Sequence, residues 1–134
     1  MTSIGLVACA KTKSRERQAA KDLYLSHLFM LARRYCEENY DYWYILSAYH
    51  GLLHPGSVID PYDATLKTFR PDAREQWAAR VICQAQAEQF DDPYFVFHAG
   101  GHYAKLLAGR IGDSNLPMKG LGIGQQINWY LERL

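Results

Sequence analysis

No apolar run in these 134 residues approaches the roughly 18 to 20 needed to cross a bilayer as a helix, so no membrane partner is expected. The opening Met1-Thr2-Ser3-Ile4 lacks the basic region of a secretory leader and is read as the start of a strand. Cysteine is scarce. Cys9, Cys36 and Cys83 are odd in number and far apart, which excludes a disulfide framework and a Cys-x-x-Cys metal site and points to a reducing cytoplasm. Charge nearly cancels, at +1 with a pI near 7.7, which excludes a protein that coats nucleic acid by bulk electrostatics. Neither Gly-x-x-x-x-Gly-Lys-Ser/Thr nor Gly-x-Gly-x-x-Gly occurs after a strand, so P-loop and Rossmann fingerprints are absent. No low-complexity tract signals disorder.

What is present is an ordinary globular composition, 49% hydrophobic and 22% charged, at a length that suits a single domain over residues 1–134. Residues 4–10 form a short apolar run read as a buried strand. Residues 22–38 carry apolar positions at helical spacing, with Asp22 or Ser26 as N-cap. The aromatic and β-branched run 42–48 is the strongest strand. A long connection follows, and Pro71-Asp72 opens a helix to about residue 89. Residues 94–98 form a third strand, followed by a helix over 103–111, a turn at 113–115, a short last strand over 116–118 and a closing helix to Leu134. Alternating strands and helices predict an α/β fold of three layers, a mostly parallel sheet with helices on both faces. Such sheets bind ligands at the carboxyl ends of their strands.

The unusual residues fall at those ends. The segment 11–21 holds five cations against one anion, with Lys11 and Lys13 directly after the first strand, placed to grip phosphate. Ser47 closes the second strand. Gly100 and Gly101, followed by His102, lie between strand and helix, where backbone N–H groups can hold an anion. His98 and His102 lack a Cys or carboxylate to complete a ligand set, so neither a metal nor an organic cofactor is expected. His50 sits in the loop after the second strand and suits acid–base work. Asp60 and Asp63 flank Pro61-Tyr62. Either carboxylate suits activation of water or stabilisation of an oxocarbenium ion, and Asp63 is favoured because Asp60 precedes proline and suits a turn. Tyr24, Tyr49, Tyr62 and Tyr103 offer rings on which an extracted base can stack.

The segments Leu6–Lys13, Ala20–Ser26, Ile45–Pro55 and Pro61–Leu66 resemble a small bacterial and phage domain family of uncharacterised function. Through Leu46-Ser47, Gly51, Leu53, Pro55 and Pro61-Tyr62 that family is similar to the YaaA peroxide-stress proteins, which are described as DNA-binding. The resemblance further implies kinship with antiphage DNA glycosylases that excise glucosylated hydroxymethylcytosine. It rests on Cys9, Lys11, Lys13, Tyr24, Ser26, Ser47, His50, Gly51, Tyr62 and Asp63. Together these give the expectation of a DNA glycosylase acting on modified, phage-type DNA. Asp63 and His50 are its catalytic groups, with His50 assisting departure of the base. Lys11, Lys13, Ser47, Gly100, Gly101 and His102 contact the backbone, and Cys9, Tyr24, Tyr49 and Tyr62 hold the base. Two other readings share this site: a nonenzymatic YaaA-like DNA-binding module, and a nucleoside or nucleotide deoxyribosyltransferase or hydrolase.

Overall fold

The computed structural model describes residues 1–10 and 13–134. Its elements are β1 (Thr2–Ala8), β2 (Gln18–Ala19), α1 (Ala20–Leu23), α2 (His27–Asn39), β3 (Tyr42–Ser47), β4 (Gly51–Leu53), β5 (Val58–Ile59), a 3-10 turn (Leu66–Thr68), α3 (Pro71–Ala87), β6 (Pro93–His98), α4 (Gly101–Leu107), β7 (Ser114–Asn115) and α5 (Ile123–Arg133). Five strands form one sheet in the order β4-β3-β1-β6-β7, while β2 and β5 pair as a separate antiparallel ribbon. All pairs in the main sheet are parallel except β3–β4.

Alternation along each strand divides the core into two layers. Ile4, Leu6, Tyr44, Leu46, Phe95 and Phe97 pack with Trp77, Ala78 and Val81 of α3 and Leu107 of α4. Val7 and Ile45 face the other way, onto Phe29, Ala32 and Cys36 of α2 and Tyr130 of α5. The expected three-layer α/β architecture is therefore present. From β1 the chain moves to β3 on one side and then returns to β6 on the other. The sheet's switch point thus lies at the ends of β1 and β6, where a crevice opens in folds of this kind. No helix among the described residues is long and apolar enough to cross a membrane.

Three expectations are corrected. The helix read over 22–38 is broken: α1 stops at Leu23, Tyr24 and Leu25 run extended, and the Ser26 side chain accepts from Phe29 N–H to start α2 anew. Tyr24 is thereby released to bridge to Lys13 as a strand would, and periodicity cannot register a break that keeps the apolar phase. The strand read over 116–118 lies earlier, at Ser114–Asn115 beside Phe95 and Val96, and the helix read over 103–111 runs instead from Gly101 to Leu107. The long connection after β3 is built around a short element, β4, which folds back antiparallel so that Ile45 faces Leu53 and Ser47 faces Gly51. Gly51 takes φ +76, the left-handed conformation that this reversal needs.

Gly5, in the central strand, is where α2 comes closest. A Cβ there would sit 2.7 Å from Cys36 Sγ and 2.7 Å from Cδ2 of Tyr40. Gly5→Ala is expected to overpack this contact and lower unfolding stability by roughly 1–3 kcal/mol, read as a reduced urea midpoint at unchanged slope.

Candidate functional site

At the end of β3, Ser47 is 0% exposed and every polar atom of it beyond the strand ladder is used. Its Oγ accepts from the N–H groups of Tyr49 (3.3 Å) and His50 (3.0 Å) and donates to the Tyr62 hydroxyl (2.8 Å). Its carbonyl accepts from the Trp77 indole at 2.8 Å. Tyr62 is hydrogen-bonded in turn to the Tyr24 hydroxyl. Three hydroxyls joined by two links leave one phenolic proton of the Tyr24–Tyr62 pair to be donated outside the triad. Burial raises the pKa of both phenols, with the nearby Cys9 adding to the rise, so both are neutral at physiological pH.

Across the switch point, Cys9 Sγ lies 3.1 Å from the Tyr103 hydroxyl, itself raised by burial and by Cys9. Cys9, Tyr24, Tyr62 and Tyr103 therefore form one group at the carboxyl ends of β1, β3 and β6. Lys13 Nζ stands 4.7 Å from the centroid of the Tyr62 ring and 5.9 Å from that of Tyr24, within cation–π range. Tyr49, 60% exposed, stacks on Tyr62 with centroids 5.5 Å apart and planes at 28°. The His50 ring meets Tyr62 edge-on at 5.4 Å.

The turn that carries Tyr49 and His50 is held from α3. Gln84 accepts from Leu52 N–H (2.8 Å) and donates to the His50 carbonyl (3.1 Å), and Arg80 donates to the Tyr49 carbonyl (2.9 Å). Two grooves meet at Tyr49. One, of about 420 Å³, runs along His50, Tyr62, Asp60 and Arg17; the other, of about 370 Å³, lies between Tyr49, Phe69 and the Gln76–Arg80 stretch of α3. Asp60 is paired with Arg17 at 2.9 Å, both side chains exposed. Asp63 is exposed beside Tyr62 and lines neither groove. Burial, then the charge of Arg80, lowers the His50 pKa below its usual 6.5. At neutral pH the ring is thus uncharged, with one nitrogen able to accept a proton and the other to donate a hydrogen bond.

The remaining candidates are spread around this centre. Ser47, expected at phosphate, is buried beneath the site as its support. Gly100 and Gly101 open α4 at ordinary negative φ, and a Cβ on either would meet nothing within 4 Å, so the fold itself does not require glycine there. His102 is exposed on the first turn of α4. Lys11 lies outside the described residues. Arg80, Gln84 and Trp77 escaped the sequence reading; their spacing of three and four along one helix was the available signal, masked because α3 reads as an ordinary amphipathic helix.

His98 is turned away from the site. Its Nε2 and Nδ1 are held by the Tyr40 (2.6 Å) and Tyr130 (2.7 Å) hydroxyls in the layer beneath α2 and α5, and no group of three or more His, Cys, Asp or Glu gathers for a metal among the described residues. One tyrosine must donate and the other accept for the ring to stay neutral.

Structurally, then, this is a doubly wound α/β domain with a hydroxyl- and ring-rich site at its strand ends. The chain belongs to the family of unknown function DUF6884, whose pattern it matches over residues 4–132. It is similar to the uncharacterized protein YfjM of Bacillus subtilis (strain 168), with 31% identity over 121 residues, covering 84% of this chain and 79% of that protein.

Two outcomes follow from the two histidines. Removing the cation in Arg80→Gln should raise the His50 pKa toward 6.5, read by NMR titration of the ring; an unmoved or lower value would contradict the electrostatic contribution. His98, 4% exposed, titrates at about 4 in the fold against 6.5 unfolded. Its contribution is complete above pH 6.5 and is lost as pH falls toward 4, because only the unfolded chain takes up the proton across that window. The gap corresponds to roughly 3 kcal/mol. His98→Asn should flatten the dependence of urea-unfolding free energy between pH 6.5 and 4 by about that amount.

Proposed function

We propose that the protein is a DNA N-glycosylase that hydrolyses the bond between deoxyribose and a modified base of the glucosylated hydroxymethylcytosine type, leaving an abasic site, in antiphage defence. The observation that carries this reading is the exposed Tyr49 ring, braced by Tyr62 and flanked by hydroxyl donors, a cation and a neutral histidine. A base cannot enter between Tyr49 and Tyr62, since two stacked layers need about 7 Å and the rings are 5.5 Å apart. The extracted base lies instead in the groove along His50, Tyr62 and Asp60, of which Tyr49 forms one wall, and the face of Tyr49 turned away from Tyr62 stays open. The outward phenolic proton of the Tyr24–Tyr62 pair suits a base carbonyl, which gains negative charge as the glycosidic bond breaks.

The sugar left behind is an oxocarbenium ion, and a carboxylate stabilises it while water adds at the anomeric carbon. Asp63 takes that role, because the charge of Asp60 is already compensated by Arg17. The proton released by the attacking water passes to neutral His50. Lys13, with Lys11 beside it in sequence, contacts phosphate. A second reading, a YaaA-like module that binds DNA without cleaving it, is favoured by one feature: both carboxylates of the 60–63 segment are exposed, so neither is desolvated in the free protein.

Incubation with glucosyl-hydroxymethylcytosine phage DNA and with unmodified DNA separates these readings. Base release, followed by mass spectrometry and abasic-site labelling, is expected from the modified DNA alone. It should fall by roughly 100-fold or more in Asp63→Asn, with binding retained. A loss confined to Asp60→Asn would move the carboxylate role to the groove wall. Salt-sensitive binding with no release from either DNA would leave the binding module.

A further inference from the structure

The groove between Tyr49 and α3 lies outside the chemistry just described, and its lining is specific. Tyr49 and Phe69 line it with aromatic rings, and Ala64 and Ala73 line it with small side chains. Its volume of about 370 Å³ falls within the range of small-ligand sites. Trp77 adds apolar surface only, because its indole N–H is committed to the Ser47 carbonyl. Gln76 and Arg80 stand four residues apart on α3 and so share one face at the rim. The Gln76 amide can both donate to and accept from a base edge. Arg80 uses one donor on the Tyr49 carbonyl, leaving the rest of its guanidinium fork for a phosphate oxygen.

We infer that this groove is a subsite for the nucleotide adjacent to the target in a single-stranded or locally opened stretch, its base held between Tyr49 and Phe69 and its phosphate by Arg80. This rests on the DNA reading above and adds to it the form of the substrate. The two grooves share the Tyr49 wall, so a target in one and its neighbour in the other are separated by one aromatic ring, a spacing that a continuous strand can follow. A free nucleoside or nucleotide would leave the second groove empty. The polymer is therefore the occupant that uses both.

The test is fluorescence anisotropy with a labelled five-nucleotide single strand carrying the modified base at its centre, against the same strand with an abasic spacer on one side or the other of that base. For the native protein a spacer on one particular side should weaken binding at least fivefold, the factor for a stacked base worth about 1 kcal/mol, while a spacer on the opposite side costs less. In Ala73→Trp, which fills the groove from the first turn of α3, the penalty should shrink toward onefold, whereas Arg80→Gln, which keeps the groove but removes the charge, should weaken all three strands together and leave the penalty in place. Circular dichroism melts establish that both variants are folded. Equal affinity for all three strands, or an undiminished penalty in a folded Ala73→Trp, overturns the subsite while leaving the glycosylase reading intact. Failure of the native protein to bind any of the strands or the parent phage DNA overturns both.

Discussion

The site depends on one buried serine. Ser47 ends β3 with its hydroxyl and carbonyl both sealed from water, where a polar group left unpaired would cost about 1–3 kcal/mol. Each of its bonds ties down a different piece of chain: Trp77 fixes α3, Tyr62 fixes the far end of the long loop, and two backbone N–H groups fix the turn that presents Tyr49 and His50. Partners 30 residues downstream and 15 residues downstream are thereby brought to the same strand end. Alanine at this position would remove a single oxygen yet orphan two backbone donors and leave the Tyr62 hydroxyl with Tyr24 alone, so the turn, the loop and the stacking platform would loosen together.

The parallel sheet supplies the second half of the arrangement. Because β1 lies between β3 and β6, the segment leaving β1 passes between the Ser47 hub on one side and the start of α4 on the other. Cys9 consequently faces Tyr103 across the switch point, close enough to influence Tyr24 and Tyr62. The opposite layer uses the same chemistry for a different end. Tyr40, His98 and Tyr130 satisfy one another in the dark of the α2–α5 packing, with the glycine at position 5 admitting Cys36 and Tyr40 against the strand. One tyrosine-rich composition thus serves both a structural knot and an exposed platform, and burial decides which.

That division explains what could be read in the chain. The three long strands, α3, α4 and α5 and the layer order follow from local periodicity and were legible at the level of the alternating pattern, as was the gathering of Cys9, Tyr24, Tyr49, His50 and Tyr62 at strand ends. What stayed hidden depends on partners distant in sequence. The antiparallel β4 is three residues long and is specified by Gln84 and a left-handed Gly51 rather than by its own pattern. Ser26 was one of the two N-cap candidates, and the apolar spacing, almost unchanged across the break, could not choose it over Asp22. Ser47 looked like a surface contact because serine at a strand end usually is one, and only the tertiary positions of Trp77 and Tyr62 make it a hub. Asp60 and Asp63 differ through Arg17, which no local rule connects to them.

A net charge of +1 is no obstacle to the proposed partner once the protonation states are laid out. Apart from the carboxylates of Asp60 and Asp63, the acidic groups at the platform are phenols and a thiol, and burial raises the phenols far enough that they carry no negative charge to repel a phosphate. The cations, by contrast, are set at the rim: Lys13 over the ring of Tyr62, Arg17 on one groove and Arg80 on the other. With Arg17 offset by Asp60, a neutral, donor-rich floor is left between the cations at the rim and the carboxylate of Asp63. Such a surface discriminates by stacking and hydrogen bonding and holds the backbone only weakly. On the reading proposed above, affinity then concentrates on a base that can be brought out of its stack, which is what an enzyme selecting rare modified bases among many ordinary ones requires.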